Sequence, residues 1–155
     1  MDASVSWNGH LKFTGTADSG FPVPLDTTSA LGGDDSAVQP MELIALGLAG
    51  CTAMDVISIL QKKQQVVTDF EVKIHADRAR EHPRVFTRAV IEFLVTGRGV
   101  DEAAVVRAIE LSSNKYCPAH AMLSRVFLIE TRYRIFEEEG RRLVNEGVYI
   151  PETKA

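Results

Sequence analysis

A long apolar segment in the first half of the chain constrains the fold more than any other feature of the sequence. Residues 43–60 are apolar at all positions but Thr52, Asp55 and Ser58. Pro40 stands just ahead, where proline suits a helix start, and Lys62 follows at the end where cations suit the helix dipole. We predict one long helix that is apolar nearly all round and must therefore be covered on all sides.

The same segment has the length of a membrane-spanning helix. Asp55 lies in its middle, Gly47 and Gly50 interrupt it, and the sequence on both sides is typical of strands. These features favour the buried central helix of a globular protein, and we expect no association with a membrane. Its small residues would let another backbone approach closely.

Strand patterns flank the helix. Asn8-Gly9 predicts a hairpin near the N-terminus, and residues 26–39 form a polar loop. Residues 70–77 and 85–95 alternate as two longer strands. Asp101 is a candidate N-cap for a second helix that Asn114 would end, and a last strand covers residues 127–135. The order predicts an α+β fold with a mainly antiparallel sheet around the long helix.

The chain has 155 residues, which predicts a single domain over residues 1–155 with a polar C-terminal tail, residues 137–155, as a mobile end or an arm on a partner chain. Seventeen basic and 21 acidic residues give a formal charge of −4, which disfavours nucleic acid as a partner. With two cysteines and no sign of a leader, we expect the reducing cytoplasm.

Cys51 on the long helix and Cys117 at the start of a short one are the candidate chemical groups. Both are interpretable as small core side chains, because free cysteine is often buried. Cys117 precedes Pro118 at a predicted helix start, which favours a reactive thiol instead. Two adjacent thiols would cycle between dithiol and disulfide without a metal or an organic cofactor. A zinc site of Cys51, Cys117, His120 and a fourth ligand is a weaker alternative.

Two motifs resemble those of a known family. The segment Pro-Met-Glu-Leu-Ile-Ala-Leu-Gly-Leu-Ala-Gly-Cys, residues 40–51, resembles the first-cysteine helix of the OsmC/Ohr family. Lys-Tyr-Cys-Pro-Ala-His-Ala-Met-Leu, residues 115–123, resembles the second-cysteine motif of its OsmC-like branch. The resemblance covers nearly the whole chain.

This resemblance implies an intertwined homodimer with active sites at the subunit interface. It implies that Cys51 attacks a small organic hydroperoxide, or a related electrophile, and that Cys117 resolves the product as a disulfide. An external dithiol, such as a lipoyl-bearing protein, would then reduce the disulfide. The expected function is thiol-dependent hydroperoxide reduction in oxidative-stress defence, with no bound cofactor.

The sequence departs from the family's peroxidase pattern at two places. Met41 occupies the position of the usual glutamate, and Glu42 is the nearest carboxylate. The arginine that the family draws from its N-terminal region has no counterpart in residues 1–40. Candidate supporting residues are therefore Glu42, His120 and Arg125, with Arg78 and Arg80 as other sources of a cation. The alternative function is a non-catalytic small-molecule binder or redox sensor with the same fold.

Overall fold

The computed structural model describes residues 1–150 and divides the chain into two compact units, residues 1–45 and the residues from 46 onward. The first unit contains an antiparallel sheet in the order β1-β2-β3, with β1 at Ala3–Trp7, β2 at Phe13–Ala17 and β3 at Val23–Leu25. Gly9 turns the first hairpin with a φ of +98°, a conformation that glycine adopts without strain. The predicted N-terminal hairpin is confirmed.

The polar loop after β3 is organised around Asp26. This side chain is only 2% exposed. Its carboxylate accepts hydrogen bonds from the Ser36 hydroxyl at 2.6 Å, from the Ser36 N–H at 3.0 Å and from the Thr27 N–H at 2.8 Å. The Asp34 N–H donates to it as well, at 3.2 Å. These bonds, led by the one from the Ser36 hydroxyl, hold the pKa of Asp26 well below its usual range.

The long helix, α1, runs over Pro40–Lys62. Its start is fixed by Glu42, whose carboxylate accepts a hydrogen bond at 2.9 Å from the N–H of Gln39, three residues before it. This is one half of a capping box, which satisfies a backbone donor at the helix start. By length and composition α1 is apolar enough to cross a membrane, and 28% of its most apolar window is buried.

Only one face of α1 is covered within this chain. Its buried residues are Leu48, Ala49, Thr52, Val56 and Leu60. Leu48, Val56 and Leu60 belong to the hydrophobic core of the second unit, as in a globular protein. Met54 is 75% exposed and Leu46 is 57% exposed, so the expected burial of the helix on all sides is not found among residues 1–150.

The second unit is built on a four-stranded sheet in the order β4-β5-β6-β7, with the strands at Val66–Arg78, Phe86–Arg98, Leu128–Glu137 and Arg142–Tyr149. Strands β4 and β5 form the predicted long hairpin, and β6 pairs with β7 in the same antiparallel sense. The middle pair, β5 and β6, is parallel, so the sheet is mixed. Parallel neighbours need a crossover connection, and the helices between these strands supply it.

That connection begins with α2 at Glu102–Leu111, capped by Asp101, whose side chain accepts from the N–H of Ala103 as predicted. The helix does not end at Asn114. It continues as one wider turn over Ser112–Tyr116, and α3 then covers Pro118–Leu123. One face of the connection packs on the sheet through Val105 and Ile109, both fully buried.

The polar C-terminal segment differs from the expectation of a mobile end or a partner-chain arm. Residues 142–149 form β7, which pairs with β6 from Tyr149 opposite Thr131 to Arg142 opposite Glu137. Strand β7 lies at the edge of the sheet, so its backbone pairs on one side and much of the strand faces water. A largely polar segment can therefore form it. The remainder of the predicted tail, residues 151–155, lies outside the described residues.

Candidate active site

The crossover connection and α1 bring three side chains of the second unit together. The sulfur atoms of Cys51 and Cys117 and one carboxylate oxygen of Asp55 all lie within 4.8 Å of one another. We call these three residues the dithiol–carboxylate cluster. Both cysteines are free thiols. Cys51 is partly exposed and Cys117 is buried, so the two sulfurs differ in their access to solvent.

Helix geometry explains how α1 contributes two members of the cluster. Cys51 and Asp55 are four residues apart, and residues at this spacing lie on the same helix face. Both are partly buried, between the core side of α1 and its exposed side. The face that carries the thiol therefore also carries a carboxylate.

The wide turn after α2 presents the third member. The N–H of Cys117 donates to the carbonyl of Ser112 at 2.9 Å, across five residues, and this bond closes the turn. Cys117 then caps α3: its sulfur accepts a hydrogen bond at 3.3 Å from the N–H of His120. Single wide turns of this kind occur often at functional sites.

Asp55 and Ser112 are functional candidates that the sequence did not reveal. The Ser112 hydroxyl donates to Oδ2 of Asp55 at 3.0 Å, and the two residues are 57 positions apart. In the sequence Asp55 stands out only as the charge inside an apolar helix. The signal in the sequence was the helical spacing that places Asp55 on the same face as Cys51. The residues around Ser112 carried no signal for its contact with Asp55.

Burial governs the chemistry of Cys117. Burial is the main cause that raises the pKa of this thiol to about 12, and the adjacent thiol of Cys51 contributes to that increase. The hydrogen bond from the His120 N–H acts in the opposite direction, whereas the negative charge of Asp55 adds to the increase. Cys117 is therefore a neutral thiol at neutral pH.

His120 is also buried, at 5% exposure. Burial lowers the pKa of its imidazole, which hydrogen-bonds to the backbone of Ser113. Nε2 has no partner among the described residues. The imidazole is therefore a neutral buried ring, and the described contact between His120 and the thiol of Cys117 comes from the backbone N–H of His120.

Of the other candidate supporting residues, Glu42 and Arg78 have described partners elsewhere. Glu42 caps α1, as described above. Arg125 lies exposed in the turn after α3, and Arg78 donates through Nε to the carbonyl of Arg84 at 3.0 Å within the β4–β5 hairpin. Arg80 belongs to the same hairpin connection. In the first unit, Lys12 pairs with Asp34 at 2.7 Å. Their catalytic roles stay predictions.

A cavity of about 310 Å³ adjoins the cluster at Asp55. It is lined by Asp55, Ser58, Ile59, Lys62, Leu111 and Tyr116. Four of these residues follow one another along a single face of α1. The cavity combines apolar walls with one anion and one cation, which suits a small amphipathic molecule.

The arrangement supports two kinds of chemistry. Two free thiols at this separation can form a disulfide after small side-chain rotations. The donor atoms of Cys51, Asp55 and Cys117 also have the spacing of a metal-ligand set.

Comparison with known proteins shows the family. The family model of the OsmC-like protein matches residues 33–132. Over 135 residues the chain is 42% identical to Protein YhfA of Escherichia coli strain K12, covering 87% of this chain and 98% of that protein.

Solved structures share the fold. A chain solved under structural genomics is 40% identical, with a TM-score of 0.79, and the match covers 88% of this chain and 99% of that one. An organic hydroperoxide resistance protein OsmC from Legionella pneumophila is 15% identical, with a TM-score of 0.60 and coverage of 86% and 94%. At that identity the likeness shows the fold alone. The chain belongs to the OsmC-like protein family.

Proposed function

We propose that the protein reduces small organic hydroperoxides, or related electrophiles, by a dithiol–disulfide cycle of Cys51 and Cys117. The observation that carries this proposal is the juxtaposition of two free sulfurs within 4.8 Å, one partly exposed and one buried. Family membership supports a role in peroxide resistance, because a relative of the same fold is described as an organic hydroperoxide resistance protein.

Accessibility assigns the roles of the two thiols in this proposal. Cys51 is the less buried of the two cysteines, so in this proposal its thiolate attacks the O–O bond. The products are a sulfenic acid on Cys51 and an alkoxide, which takes a proton to become the alcohol. Cys117 is buried and stays protonated, so it is suited to the second step rather than the first.

In the second step Cys117 condenses with the sulfenic acid, which forms the disulfide and releases water. An external dithiol then supplies two electrons and two protons and restores both thiols. A lipoyl-bearing protein is the reductant that we propose, in the cytoplasm, where the thiols would be kept reduced. The cycle needs no metal or organic cofactor.

We also propose that the working form is a homodimer. Apolar side chains remain exposed on α1 and on the segment around α3: Leu46 at 57%, Met54 at 75%, Met122 at 65% and Val126 at 74%. A second copy of the chain would cover such a surface. Sedimentation of the wild type and of Leu46→Glu tests this, with a dimer that dissociates in the variant as the expected result.

The peroxidase proposal is tested by titrating the reduced protein, in the presence of a chelator, with tert-butyl hydroperoxide. We expect one equivalent to consume two thiols per chain within minutes and to lower the mass by two hydrogens. Cys51→Ser should not react, whereas Cys117→Ser should accumulate a sulfenic acid that dimedone traps on Cys51. Thiols that remain after minutes in the wild type would refute the proposal.

A second candidate function is a redox sensor or small-molecule binder without rapid turnover. The observation that favours it is that the charged side chain beside Cys51 in the cluster is the carboxylate of Asp55, whereas a reactive thiolate is normally stabilised by a neighbouring cation. A sensor would form the same disulfide slowly, over hours. The rate in the titration above therefore separates the two functions.

A further inference from the structure

We propose that the reduced dithiol–carboxylate cluster binds a thiophilic divalent cation, with Zn²⁺ as the ion that it suits best. The ligands would be the sulfurs of Cys51 and Cys117 and the carboxylate of Asp55. This site differs from the zinc alternative expected from the sequence, because Asp55 replaces His120. It does not depend on the proposed function, since a metal can bind whether or not the thiols reduce a hydroperoxide.

The spacing of the donor atoms suits such an ion. All three ligand atoms lie within 4.8 Å of one another. In a tetrahedral zinc site, with Zn–S near 2.3 Å and Zn–O near 2.0 Å, donor atoms are separated by about 3.5–4 Å. Rotations of the three side chains would cover the difference.

The donor types select among metals. Two thiolates favour zinc and other soft ions over Mg²⁺ and Ca²⁺, which prefer sites made of oxygen. One carboxylate completes a set of three protein ligands and leaves a fourth coordination position for water or an added ligand. The carboxylate of Asp55 also lines the neighbouring cavity.

Two hydrogen-bond donors next to the cluster orient the carboxylate of Asp55 and the sulfur of Cys117. The Ser112 hydroxyl holds Oδ2 of Asp55 at 3.0 Å. The N–H of His120 points at the sulfur of Cys117 from 3.3 Å. Hydrogen bonds of this kind fix ligand orientation in metal sites, and their loss commonly weakens binding.

Charge favours a cation at this place. Asp55 brings a negative charge next to two groups that become negative when they bind a metal. On binding, the two thiols each lose a proton, so three anionic ligands surround one dication. Within the cluster the charged side chain is the carboxylate of Asp55. A dication is the natural complement of such a group.

The disulfide and the metal are mutually exclusive occupants. The disulfide has lost both sulfur ligands, so only the reduced protein would hold the ion. A bound ion would in turn occupy the thiolate of Cys51. The cluster would therefore exist in three forms: free dithiol, metal-bound dithiolate and disulfide.

The test is a competition titration of the reduced, full-length protein with Zn²⁺ against a chromogenic zinc chelator. We expect one zinc ion per chain. Cys51→Ser and Cys117→Ser should each weaken binding by about a hundredfold or more, and Asp55→Asn by about tenfold or more. Glu110→Gln is the matched control, because Glu110 is a carboxylate that pairs with Arg107 away from the cluster, and it should bind as the wild type does.

The wild type provides a readout that needs no variant. One equivalent of Zn²⁺ should protect both cysteines from maleimide labelling, and protein oxidised beforehand with diamide should bind no zinc. Unchanged affinity in Asp55→Asn would overturn the three-ligand site. Thiols that label at the same rate with and without zinc would overturn the proposal altogether. The hydroperoxide titration contains a chelator, so its failure would not be mistaken for a failure of metal binding.

Discussion

Asp26 in the first unit is a buried carboxylate and Asp55 in the second is a partly buried one, and their surroundings differ. Asp26 accepts hydrogen bonds from three backbone N–H groups and one hydroxyl, all within ten residues of it. Asp55 accepts from one hydroxyl 57 positions away and faces two sulfurs. A carboxylate that accepts several hydrogen bonds from nearby backbone groups uses its lone pairs to hold the local structure. A carboxylate that accepts one hydrogen bond from a distant residue and lies beside two sulfurs keeps lone pairs for a ligand.

The largest effect that follows from this comparison is on stability. Asp26→Asn would replace one acceptor oxygen by an N–H group that faces backbone N–H donors, so buried donors would lose their partners. We expect the Tm to fall by roughly 5 °C or more. Differential scanning calorimetry measures it. Asp34→Asn is the control, since it removes a half-exposed ion pair with Lys12 and should change the Tm little. Equal Tm values for both variants would break the comparison.

The same carboxylate should give the protein an acid-dependent stability. The pKa of Asp26 is lowered by folding, so between about pH 4 and pH 2 the unfolded chain binds the extra proton. The stability due to Asp26 is therefore present above that window and is lost as the pH falls through it. Urea unfolding at several pH values should show a steeper acid decline for the wild type than for Asp26→Asn. Parallel curves would contradict this.

A smaller effect is expected when the carboxylate of the dithiol–carboxylate cluster is replaced by an amide, as for Asp26. Asp55→Asn removes a negative charge that raises the pKa of Cys117, so alkylation of Cys117 by iodoacetamide at pH 8 should become about two- to fivefold faster. Peptide mass spectrometry follows the modified residue. The Tm should change less than in Asp26→Asn, and an unchanged alkylation rate would remove Asp55 from the electrostatics of the site.

The smallest effect is expected at a third carboxylate, Glu42. Its described partner is the N–H of Gln39, and a glutamine side chain can accept the same bond. Glu42→Gln should therefore change the Tm by no more than about 1 °C. It should also leave the rate of the hydroperoxide titration unchanged. A slower rate would return Glu42 to the catalytic residues.

The local signals in the sequence predicted local structure well. Asn8-Gly9 marks the first hairpin, and Asp101 caps α2. Cys117-Pro118 begins α3. Each of these signals depends on contacts between residues only a few positions apart, so the residues themselves carry the information.

The features that the sequence did not predict depend on distant contacts. The parallel pairing of β5 with β6 follows from the crossover and not from the alternation of either strand. The polarity of residues 142–149 concealed β7, because an edge strand tolerates polar side chains. The contact between Asp55 and Ser112 joins two elements that only the folded second unit brings together.

The crossover between β5 and β6 has one more consequence. It returns Cys117 to α1 after 66 positions of chain, so a disulfide with Cys51 would close a loop of that size. In the chain-entropy model such a cross-link stabilises the fold by about 4 kcal/mol. The disulfide would link α1 covalently to the connection between β5 and β6. The oxidised protein would therefore resist heat better than the reduced protein, and this difference would report the redox state.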